Sequence, residues 1–93
     1  MLKSQIDKIL EECIKDHLAP AEIVDVISEE AEDHDGDPIL NITVVFQAED
    51  DELDPEKVVG LALQLRKTLL DMQVERFPIP SYMTIKEAEF AAA

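Results

Sequence analysis

Between Ile39 and Ala48 the chain alternates apolar and polar side chains. Leu40, Ile42, Val44, Phe46 and Ala48 take every second position, and Asn41, Thr43 and Gln47 fall between them. A period of two predicts a strand with one buried face. After Asp54-Pro55 the period changes. Val58, Leu61, Ala62, Leu65, Leu69 and Met72 recur at steps of three and four, which predicts a helix from Pro55 to about Val74 with an apolar stripe wide enough to cover that strand. The start is marked twice. Asp54 can accept from free amides as the N-cap, and Pro55 at the first helical position has no N–H to leave unpaired.

The flanking segments follow the same logic. A first helix is predicted over residues 1–19, with Ser4 and Asp7 as a loose capping box. Ile6, Ile9, Leu10, Cys13, Ile14 and His17 share one side of it, and Ala19-Pro20 stops it because a residue before proline avoids the helical region. Glu22–Glu30 reads as a strand whose inner side is contested, Ile23 and Ile27 competing with Val24 and Val26. A polar turn over Ala31–Asp37, with Asp35-Gly36 as its hairpin signal, completes a hairpin across residues 22–48. Beyond the long helix, Pro78 and Pro80 exclude a helix, and residues 77–85 are expected as a short edge strand. Residues 86–93 form an alanine-rich tail that either ends the structure or adds a helical turn.

The expected order is helix–strand–strand–helix–strand in a single domain. A right-handed crossover places the last strand parallel to Ile39–Ala48 and both helices on one face of a three-stranded sheet. The expectation is therefore an α+β two-layer sandwich related to the ferredoxin-like fold without its first strand. The element order also resembles the second type of KH domain, whose Gly-x-x-Gly clamp on a nucleic acid backbone is missing here, Gly36 and Gly60 being the only glycines.

Charge narrows the range of partners. With 22 acidic against 8 basic residues the 93-residue chain carries a formal charge of −14. Phosphate backbones and anionic membrane surfaces are bound by Lys and Arg, so neither is expected as a ligand. A basic protein or a divalent cation is compatible. No apolar run reaches the roughly 18–20 residues that span a bilayer. Cys13 is the only cysteine, which rules out an internal disulfide and fits a reducing, cytoplasmic compartment.

Four groups of residues are candidates for chemistry. Asp33, His34, Asp35 and Asp37, flanked by Glu29, Glu30 and Glu32, offer oxygen and imidazole ligands to a divalent cation. An EF-hand register fails, since counting back from Gly36 puts Ile42 where the twelfth-position Glu belongs. Turn-forming residues kept soluble by charge are the preferred account of the cluster. Glu49–Glu52 with Asp54 and Glu56 is a second acidic group, favoured before a helix N-terminus by the macrodipole. The two acidic groups lie at opposite ends of one strand, a spacing that admits nucleic-acid mimicry and argues against a joint metal site. Cys13 and His17, four apart, have a zinc spacing without two further ligands and read better as core. They also lack the third group that a catalytic dyad needs. Arg76, Phe77 and Tyr82 are the interface candidates, beside an edge strand that could pair with a second copy. The competing view has Phe77 and Ile79 closing the core, with Arg76 paired to a carboxylate.

The run Asp35-Gly-Asp-Pro-Ile-Leu-Asn-Ile-Thr-Val-Val-Phe, then Leu53-Asp-Pro-Glu-Lys, then Glu75-Arg-Phe-Pro, resembles a group of small uncharacterised bacterial acidic α/β proteins. The resemblance covers about half of the chain. It implies a compact bacterial domain and assigns no functional residue. No phosphate loop, nucleophile–base pair or cofactor fingerprint stands out. The expectation is a non-enzymatic protein-interaction module without a cofactor, acting as a regulator or antitoxin-like inhibitor of a basic partner. The alternative is a cation- or small-ligand-binding domain built on the acidic hairpin tip.

Overall fold

The computed structural model describes residues 3–48 and 52–92. Their order is α1 (Lys3–Leu18), β1 (Glu22–Glu32), β2 (Pro38–Gln47), α2 (Pro55–Asp71), β3 (Phe77–Thr84) and α3 (Ile85–Ala92). The strands form one open mixed sheet in the order β1-β2-β3. β1 and β2 are an antiparallel hairpin, and β3 returns parallel to β2, with Ile39 opposite Phe77 and Val44 opposite Tyr82. The α+β class and the central place of the alternating strand are as the periodicity predicts.

The core is one cluster. Leu40, Ile42, Val44 and Phe46 of β2 meet Leu10, Ile14 and Leu18 of α1 and Leu61, Leu65 and Leu69 of α2, with Ile23 of β1. Asp54 caps α2 by accepting from the Glu56 amide at 3.0 Å, and Pro55 opens the first turn. Val58 and Ala62 lie only half-buried, so the stripe that seals the core is Leu61, Leu65 and Leu69, one residue per turn.

Four local features depart from the sequence pattern. The contest within β1 is resolved by a bulge. Pairing slips between Ile23 and Asp25, so Ile23 lies opposite Phe46 and Val26 opposite Val44, while Val24 is the extra residue. Ile23 and Val26 therefore turn inward, and Val24 and Ile27 are 49% and 52% exposed. Second, α2 stops at Asp71, three residues short of the predicted end. Gln73 takes a left-handed φ of 60°, its amide donates to the Leu70 carbonyl, and the Val74 amide donates to the Leu69 carbonyl at 2.8 Å. That is a Schellman ending with glutamine in the place that glycine usually fills.

Third, the tail forms α3, started by a reciprocal capping box. The Glu87 amide donates to Thr84 Oγ1 at 3.2 Å, and the Thr84 amide donates to Glu87 Oε1 at 3.1 Å. Fourth, Ser4 and Asp7, expected as a capping box at the helix start, both lie inside α1. The Asp7 carboxylate accepts instead from the hydroxyl of Ser28, the buried polar side chain of β1. The Ala19-Pro20 peptide bond between α1 and β1 is cis.

Candidate functional site

At the hairpin tip the backbone closes on itself. The Asp33 amide donates to the Asp37 carbonyl and the Gly36 amide to the Asp33 carbonyl, with Gly36 at a φ of 85°. Oδ1 of Asp33 accepts from the amides of Asp35 and Asp37, each at 2.9 Å. Carboxylate oxygens of Asp33, Asp35 and Asp37 come within 4.8 Å of one another. His34 stands outside that group, exposed and 3.6 Å from Asp35. The tip thus brings together three of the four residues considered for a cation and holds one of them by turn formation. Glu49, Asp50 and Asp51 of the second acidic group lie outside the described residues, and Asp54 of that group is the α2 cap.

Arg76, Phe77 and Tyr82 separate into three environments. Arg76 is held within the fold: Nη1 donates to the carbonyls of Ala31 at 2.9 Å and Ile39 at 3.1 Å, and Nη2 lies 3.3 Å from the Glu30 carboxylate. It ties the turn end of the hairpin to the start of β3. Tyr82 packs against the core from the inner side of β3, and its hydroxyl is buried with no hydrogen-bond partner among the described residues. Burial also pushes its phenol above the usual range. Phe77 is 51% exposed on the outer side, where the Arg66 guanidinium lies 5.3 Å from its ring centroid. Ile79 is exposed beside it at 39%, so Phe77 and Ile79 do not close the core.

Cys13 and His17 sit between the helices. The Cys13 thiol bonds with Thr68 of α2, and burial, the larger effect, pushes its pKa up. His17 lies against Gly60, where a built Cβ would stand 3.6 Å from Nε2. Both are packing residues of the α1–α2 contact. A pocket of about 380 Å³ opens nearby between Leu18, Pro20, Ala48 and Leu53. Its base, Lys57, donates to the carbonyl of Ala19.

A further set of apolar side chains lies on the outer side of the sheet, opposite the core, with Val45 among them buried. Register assigns to it Val24 and Ile27 of β1, Ile39 and Val45 of β2, and Phe77, Ile79 and Met83 of β3. Sequence reading missed this surface for β3, because the competing expectation placed Phe77 and Ile79 in the core. The signal was present: Phe77, Ile79 and Met83 keep a period of two across the prolines. A second, narrower strip runs along α2, where Val59, Leu63 and Leu70 are each about two-thirds exposed. Among the described residues, no helix is long and apolar enough to cross a membrane. No protein-family model, curated protein or solved structure matches the chain.

Proposed function

We propose that this chain is a non-enzymatic protein-interaction module that binds, and thereby regulates or inhibits, a basic partner. The observation that carries the reading is the half-exposed row Ile27, Phe77 and Ile79 on the side of the sheet away from the core, in a molecule of formal charge −14. The charge supports a protein partner over nucleic acid or a membrane surface, and the single cysteine supports a cytoplasmic setting. The shared cluster of α1, α2 and β2 favours the two-layer, ferredoxin-like-related arrangement with both helices over one face. Affinity capture of the whole chain at native abundance, eluted by rising salt, tests the function. A stoichiometric basic protein released by salt is expected; an acidic partner, or none, overturns the reading.

Self-association through β3 is the weaker form of the proposal. Along an edge strand alternate amides face outward, and Pro78 and Pro80 share one phase, the inward-facing side-chain positions of β3. Odd-numbered residues of β3 then donate to β2, and the free edge lacks donors at both prolines. A second reading is favoured by the convergence of Asp33, Asp35 and Asp37: an exposed divalent-cation site at the tip. Calorimetric titration with calcium, magnesium and zinc decides it. Saturable heat that disappears in Asp35→Asn/Asp37→Asn supports the site, and no heat with any of the three removes it.

A further inference from the structure

We infer that the outer side of the sheet is the docking surface for one amphipathic helix of the partner, apolar toward the sheet and basic along the margin that lies over β1. The inference deepens the binding-module reading and rests on it. Pairing register puts residues 22, 25, 27, 29 and 31 of β1, the odd-numbered residues 39–47 of β2 and the odd-numbered residues 77–83 of β3 on this side, with Val24 added by the bulge. These positions hold three carboxylates, no base and seven larger apolar side chains, of which Val24, Ile27, Phe77 and Ile79 are exposed, Ile39 and Met83 partly buried and Val45 buried. The carboxylates, Glu22, Asp25 and Glu29, all lie on β1 and are all exposed. The surface is therefore asymmetric: β3 carries Phe77, Ile79 and Met83, the middle strand mixes Ile39 with the uncharged polar side chains Asn41, Thr43 and Gln47, and the carboxylates line the β1 margin.

Dimensions favour a single helix. Three strands at about 4.8 Å spacing place the outer two about 10 Å apart, close to the diameter of one helix with its side chains, about 10–12 Å. From Phe77 to Met83 the outward row of β3, interrupted by Ser81, is about 20 Å long, the length of about 13 helical residues. Charge decides between occupants. A second copy would present the same side, with three more carboxylates and no base at these positions, and each copy brings −14. Arg66, which reaches Phe77 from α2, is engaged on its ring. A partner helix with Lys or Arg along one edge complements the β1 margin, and this complementarity sets its orientation as well as its attraction.

The test uses the whole ¹⁵N-labelled chain and an amphipathic Leu/Lys peptide of about 14 residues. Amide shifts are expected to concentrate on Ile27, Thr43, Ile79 and Met83, with the peptide becoming helical. Ile27→Asp/Ile79→Asp is expected to weaken binding about tenfold or more, as for central apolar anchors. Glu22→Gln/Asp25→Asn/Glu29→Gln should weaken it several-fold at low salt and little at high salt. The altered side chains are already exposed, and unchanged far-ultraviolet dichroism and thermal midpoint verify that each variant folds. Equal binding by the apolar variant, or shifts confined to the α2 strip or the Asp33–Asp37 tip, overturns the surface and leaves the module reading standing. Equal affinity for a Leu/Glu peptide overturns the charge assignment. A concentration-dependent doubling of mass that Ile27→Asp/Ile79→Asp abolishes overturns the partner helix in favour of a second copy. No binding of any basic peptide at millimolar concentration removes both the surface and the reading beneath it.

Discussion

Arg76 and Tyr82 show how differently two prominent side chains can serve one sheet. The guanidinium of Arg76 serves two carbonyls from two strands, and only a planar fork can do so while also facing Glu30. Arg76→Ala is expected to lower unfolding free energy by about 2 kcal/mol, since charged donors to carbonyls are the stronger hydrogen bonds. Arg76→Lys should recover only part of it, and urea titration of the three proteins checks both. Tyr82 is the reverse case, because its buried hydroxyl lacks a partner among the described residues. Tyr82→Phe is expected to raise stability by up to about 1 kcal/mol at neutral pH. Burial raises the pKa of Tyr82 and of Cys13, so the folded state holds both protons more tightly than the unfolded chain does. Their contribution is intact below about pH 9 and falls as pH climbs through the folded values. Tyr82→Phe should therefore flatten the upper part of the alkaline loss, as read by denaturation midpoints from pH 8 upward. None of this was legible in the sequence, which shows a side chain's chemistry but not which partners a return strand brings within reach.

At the scale of elements, legibility followed periodicity. β2 and α2 were readable because one buried side imposes one uninterrupted period, and the Asp54-Pro55 start is local chemistry. β1 was ambiguous for a physical reason: its bulge changes the phase midway, so neither competing set could win outright. The end of α2 was misplaced because its left-handed residue is Gln73, where sequence reading looks for glycine. Gln73→Gly is expected to add about 1 kcal/mol by relieving the Cβ clash of that conformation, part of it offset by the freer unfolded chain. Gly60 invites the opposite change. It lies inside α2 with ordinary helical geometry, and a methyl there meets His17 at 3.6 Å, normal contact distance. Gly60→Ala should stabilise by about 0.5–1 kcal/mol, and thermal unfolding of both variants checks the pair of signs. The Thr84-x-x-Glu87 box that starts α3 is a local signal present in the sequence that the reading of the tail as alanine-rich did not use.

For the whole molecule, the imbalance of 22 acids against 8 bases puts the folded state under its own repulsion. Moderate sodium chloride is expected to raise the thermal midpoint by screening, in the same range where it weakens capture of a basic partner. Opposite responses of stability and binding to one titrant would separate self-repulsion from docking. The candidate site was half legible at this scale. Charge and the acidic tip could be read directly, whereas the outer surface emerges only when three strands align their odd-numbered positions across a crossover.

β2 acquires its second neighbour last. Its partner on that side begins at Phe77, beyond the whole of α2, so the hairpin can assemble early from nearby residues while the strand's other border waits for distant chain. Until residues 77–84 arrive, the most apolar segment of the protein offers a row of unsatisfied amides and carbonyls to any passing strand. Nascent or clipped molecules ending before Phe77 are consequently the species a cell would need to shield, and the two prolines that follow seal the border that finally covers it.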